Sequence, residues 1–131
     1  MVCLDTDFLI SLLRGDNNAI KKAEEMDSER LRKVTTPINA FELYLGAHLS
    51  EKRDENLRLV RDLLLSIGFL EFDERSCDMA GAIAADLTKL GRPIGTRDSM
   101  IAGIALRFEQ TMLTRNTEHF SRVKGLKVRT W

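Results

Sequence analysis

Five short stretches of strand-favouring residues, none longer than four, are separated along this chain by segments that carry their apolar residues at helical spacing. The stretches are Val2–Leu4, Lys33–Thr36, Phe69–Phe72, Thr111–Leu113 and Leu126–Val128. Strands that alternate with helices are joined by right-handed parallel crossovers, and helices then cover both faces of the sheet. The expectation is a three-layer α/β/α fold around a central, mostly parallel sheet of about five short strands. Residues 1–131 contain no repeat, linker or low-complexity stretch, and read as one domain.

The helices have legible ends. Phe8, Leu9, Leu12 and Leu13 share a face, and Gly15 suits a left-handed helix terminus. A second helix runs from about Asn17 to Met26. Thr36-Pro37 reads as N-cap and first helical residue of a third, which continues to about His48. Two more span roughly Glu51–Ser66, with Gly68 as its breaker, and Glu74–Leu90, ended by Gly91. Thr96 is the expected N-cap of the helix that carries Asp98.

Twenty basic and twenty acidic residues cancel, so bulk charge neither announces nor excludes a nucleic-acid partner. The N-terminal MVCLDTDF does not resemble an export signal, and no apolar run reaches the roughly 20 residues that cross a bilayer. Cys3 and Cys77 are isolated and flanked by core-like residues. They read as two buried, reduced thiols of a cytoplasmic protein, with a disulfide as the formal alternative.

In a parallel sheet, function gathers beyond the carboxyl ends of the strands. Asp5 ends the first strand, Glu42 lies in the second turn of a helix that follows a strand, and Asp98 opens another helix. Three acids so placed can meet on one rim. Each also has a structural reading. Asp5 can cap the next helix, Asp98 can complement a helix dipole, and Glu42, beside Phe41, Leu43 and Leu45, can pair with a lysine or arginine.

Taken together, FLISLLRG after Asp5, TTPINAFELYLGA, GTRDSMIAGIA and LTRNTEHFSRVKGL resemble the PIN-domain ribonucleases, and among them the VapC-type toxins. The resemblance runs through nearly the whole chain. It implies a magnesium- or manganese-dependent endoribonuclease that leaves 5′-phosphate and 3′-hydroxyl ends, with Asp5, Glu42 and Asp98 holding the metal. Hard divalent cations favour such oxygen donors and acidify bound water. Family members often carry a fourth acid where this chain has Asn116, whose oxygen can still bind the metal or orient its water without adding charge; Asp7 or Glu118 can compensate, and Asn116 can also serve as a helix cap. Arg14, Arg97 and Arg115 are the expected cationic border for RNA, and Thr6 and Thr114 can donate hydrogen bonds to carboxylate or phosphate; both are also ordinary strand-end residues, and Thr6 reads best as only that. Neither His48 nor His119 is given a catalytic role. The resemblance further implies an antitoxin partner and a homodimer formed through helices 51–66 and 74–90.

Other readings stay open at this point. A catalytically silent PIN module that binds RNA or protein accounts for the missing fourth acid. LDTDF resembles the paired aspartates of haloacid-dehalogenase phosphatases, but Leu9 stands where a threonine or valine belongs and no lysine-plus-aspartate motif follows. A response-regulator receiver needs a phospho-accepting aspartate after its third strand, and Phe72-Asp73 offers only a weak match.

Overall fold

The computed structural model describes residues 1–131. Its elements in chain order are β1 (Val2–Leu4), α1 (Thr6–Leu13), α2 (Asn17–Ser28), β2 (Lys33–Thr35), α3 (Pro37–Leu49), α4 (Arg53–Leu65), β3 (Gly68–Phe69), α5 (Glu74–Lys89), α6 (Thr96–Arg107), β4 (Thr111–Leu113), α7 (Thr117–Phe120) and β5 (Val128–Arg129). All strand pairs are parallel, and the sheet order is β3-β2-β1-β4-β5. Strand β1, the earliest of the five in chain order, is therefore central. The order reverses between β1 and β4, so a crevice opens beyond their carboxyl ends.

Alternation along the strands divides the core. Val2, Leu4 and Leu113 pack against α1 to α4, with Phe8, Leu9, Leu43 and Val60. Cys3, Val34 and Met112 face the other way, toward α5, α6 and α7, with Ile101, Ile104 and Phe120. Successive strand side chains point to opposite faces, so three-residue strands suffice to serve both layers. On the second face α5 and α6 touch so closely that a Cβ on Gly103 would stand 2.7 Å from the backbone of Ala80. The small residues of both helices permit that approach.

Several local expectations correspond to what is seen. Thr36 caps α3 through the Asn39 amide with Pro37 in the first turn, and Gly15 and Gly91 adopt φ of 73° and 69° after their helices. Others shift. The N-cap of α6 is Gly95, at φ 91°, and Thr96 is already helical. The third strand is Gly68–Phe69 rather than 69–72, because its neighbour β2 ends at Thr35, where the chain turns into the α3 cap. The last strand begins two residues later and ends one later, at Val128–Arg129. Both cysteines are free; Cys3 is buried, but Cys77 is exposed on α5 rather than buried. No helix is long and apolar enough to cross a membrane.

Candidate active site

Asp5 sits at the end of β1 as the N-cap of α1, which satisfies its structural reading without exhausting its chemistry. Its Oδ1 accepts from the Thr6 amide at 2.9 Å and from Asn39 Nδ2 at 3.0 Å, and Oδ2 accepts from the Thr114 hydroxyl at 2.6 Å. Three elements thus fix one carboxylate. Burial pushes the Asp5 carboxyl up to about 6, against the hydrogen bonds of Thr114 and Thr6, with the nearby charges of Asp7 and Asp98 adding to the rise.

Asn39 is the residue that sequence reasoning missed here. It is fully buried on α3, and its amide nitrogen bridges Asp5 and the Thr6 hydroxyl (2.9 Å), while its Oδ1 accepts from Thr36 at 2.6 Å. A fully buried asparagine needs such partners. The only signal in sequence was its place one turn after the Thr36-Pro37 helix start.

Glu42 follows one turn later on the same side of α3. Of the apolar flanks expected to crowd it, Leu43 is buried in the core, whereas Phe41 and Leu45 are exposed and do not enclose it. Its Oε2 lies 3.3 Å from Arg97 Nη1. Burial pushes the Glu42 carboxyl up, the Arg97 guanidinium and the Thr6 hydroxyl hold it down, and Asp98 and Asp7 raise it. Asp98 comes from the first turn of α6. Its Oδ2 lies 2.8 Å from His119 Nδ1 and accepts from Asn116 Nδ2 at 3.1 Å. Asn116 stands at the N-cap of α7 but makes no cap hydrogen bond with its side chain, which turns to Asp98 instead.

Asp5, Thr6, Glu42, Arg97, Asp98 and His119 line one cleft of about 590 Å³, together with Asp7 and Asn116. The other expected residues are placed differently. Thr114 is fully buried behind Asp5, where its hydroxyl is a prop for the carboxylate and out of a substrate's reach. Arg115 stacks its guanidinium over the Trp131 ring at 4.4 Å, outside the cleft. Arg14 borders a neighbouring groove between α1, α3 and α4. Glu118 points to Arg122, 3.1 Å away, rather than into the cleft. Asp7 accepts from the Phe8 amide at 2.7 Å and from the Arg115 amide at 2.9 Å, a structural tie between α1 and the loop after β4.

No three Asp, Glu, His or Cys side chains are drawn together tightly enough to chelate an ion unaided. The donor set nevertheless fits a hard divalent cation that keeps waters and borrows substrate oxygens, as magnesium does. Both hydrogen bonds on Asp98 fall on Oδ2, which leaves Oδ1 uncommitted. The mutual charge repulsion among Asp5, Asp98 and Glu42 is the force that a cation relieves.

The chain and its fold are similar to known proteins. The family model described as PIN domain matches residues 2–126. The tRNA(fMet)-specific endonuclease VapC of Shigella flexneri is 29% identical over 98% of this chain and 96% of its own length. Ribonuclease VapC1 of Haemophilus influenzae strain R2866 is 30% identical over the same shares. Among solved structures, VapBC-1 from nontypeable Haemophilus influenzae superposes with a TM-score of 0.88 at 31% identity, covering 100% of this chain and 98% of the other.

Proposed function

The chain belongs to the PIN-domain family and is a VapC-type endoribonuclease; from that premise we propose that it cuts RNA with magnesium or manganese held by Asp5, Asp98 and Glu42. The observation that carries this reading is the convergence of three carboxylates, from the end of β1, the second turn of α3 and the first turn of α6, on one cleft. A bound ion supplies an activated water and neutralises charge on the phosphate. The protein's own part is positional. Asn39, Thr6 and Thr114 fix Asp5, Asn116 fixes Asp98, and Arg97, exposed at the lip, meets the incoming phosphate when it leaves Glu42.

The Shigella relative is named for tRNA(fMet), so tRNA is the first substrate to offer beside unstructured RNA. Purified protein should cleave with magnesium or manganese, stop in EDTA, and lose several orders of magnitude in rate as Asp98→Asn. Undiminished cleavage in EDTA would refute the metal mechanism. The same assay separates an enzyme from a silent binding module.

The partner follows from surface as much as from kinship. The groove lined by Ile10, Leu13, Gly46 and Leu59 runs into the carboxylate cleft through Ile10 and Glu42, which border both. An antitoxin segment laid along it places an apolar face on the groove and a cation at the carboxylates. Expression of this chain in the cytoplasm should arrest growth, and co-expression of the neighbour-encoded antitoxin should relieve it. The exposed Leu65 of α4 and Leu90 after α5 supply apolar surface for a homodimer.

A further inference from the structure

Of the residues lining the cleft, His119 has no part in the scheme above, yet it makes the shortest contact that Asp98 has. Its Nδ1 lies 2.8 Å from Asp98 Oδ2, and Asn116 Nδ2 lies 3.1 Å from the same oxygen and 3.2 Å from Nδ1. A carboxylate oxygen only accepts and an amide nitrogen only donates, which fixes the roles. Nδ1 carries the proton toward Asp98, the asparagine donates beside it, and the approach of the two nitrogens is no hydrogen bond. Both donors thus fall on one oxygen, and Oδ1 is turned out of the pair. The segment Asn116–His119 opens α7, which Phe120 anchors fully buried in the core beside α6. The clamp therefore stands on packed structure.

We infer that His119 is a positioning residue: with Asn116 it holds Oδ2 of Asp98 so that Oδ1 alone is presented to the divalent ion. This rests on the metal-dependent reading above. Partners that orient a ligand from behind are typically worth about 10- to 100-fold in metal affinity.

Two amide variants mimic opposite edges of the ring. Asparagine places its nitrogen where Nδ1 stands, whereas glutamine reaches toward the Nε2 position. Manganese binding is measured by titration calorimetry on wild type and on His119→Ala, His119→Asn and His119→Gln, each first shown to melt as a folded protein. RNA cleavage is then followed with manganese varied. His119→Ala should bind manganese about 10-fold more weakly and recover most of its kcat in excess manganese, with KM for RNA within about twofold of wild type. His119→Asn should stay within about threefold of wild type, and His119→Gln should resemble the alanine variant. Unchanged affinity in His119→Ala overturns the inference. So does rescue by glutamine but not asparagine, or a raised KM at unchanged manganese affinity, since either places the role on RNA contact. Wild type that binds no manganese and cleaves in EDTA overturns the metal reading itself, a result distinct from these.

Discussion

The Thr114 hydroxyl, last side chain before the loop after β4, donates to Oδ2 of Asp5 at 2.6 Å across the seam between β4 and β1. The same oxygen accepts from the Asn116 amide at 2.9 Å, so one hydroxyl sets both the buried carboxylate and the loop that carries Asn116. Thr114→Val keeps the shape and removes the bond. Leaving a buried carboxylate oxygen and an amide without this partner should cost about 1–3 kcal/mol of stability. The lost bond favours the charged form of Asp5, so the acid limb of the pH–rate profile should move to higher pH. An unmoved limb would assign Thr114 to the fold alone.

Asp5 itself predicts a pH dependence of the metal-free protein. Its folded pKa of about 6 lies above the ordinary 3.8. The native state then holds the proton more tightly than the unfolded chain between these values. This group's contribution to stability is fully present below about pH 4 and is lost as pH rises through 6, an effect on the order of 2–3 kcal/mol. In EDTA, Asp5→Asn should therefore melt higher than wild type at pH 7.5, and the gap should shrink toward pH 4.5. A gap independent of pH would contradict the assignment.

Only one of the three candidate arginines borders the cleft. Arg97→Ala should weaken RNA binding several-fold and flatten its salt dependence, because a phosphate contact releases counterions. Arg14→Ala and Arg115→Ala should change catalytic-site affinity little; filter binding across a salt series distinguishes them. Equal losses in all three would point instead to a diffuse cationic surface.

Gly103 lies where α6 meets α5. Any side chain there meets Ala80 backbone at 2.7 Å, which neither helix can yield without moving. Gly103→Ala should destabilise by about 2–3 kcal/mol despite its better helix propensity. Since α6 also carries Asp98, urea melts and cleavage rates should fall together. A neutral effect on the urea midpoint would show the two helices to be separable.

Strand order and chemistry were unequally legible in the sequence. Helix limits followed from periodicity, and Thr36, Pro37, Gly15 and Gly91 declared themselves because capping and φ preferences are local. The position of Asp5 at a strand end was equally plain. Thr114 was expected as a hydrogen-bond donor at the site, but its partner was not. Neither Asn39 on Asp5 nor His119 on Asp98 was foreseen, because these contacts act across separations of 21 to 109 residues that no local pattern encodes. Arg115 misled for the same reason: adjacency to the rim placed it by the cleft, and a distant Trp131 draws it away. The environment of Glu42 depends on how α3 packs: Leu43 is buried, whereas Phe41 and Leu45 stay exposed and leave the carboxylate open to the cleft.

Strand β1 precedes the other four in the chain, yet it lies at the centre of the sheet, between β2 and β4. Its carboxylate waits 109 residues for the threonine that fixes it. At about 5–20 residues per second of translation, that is on the order of ten seconds during which the nascent chain has no assembled cleft. Pairing the earliest strand with a late one leaves the cleft unfinished until most of the chain has been made.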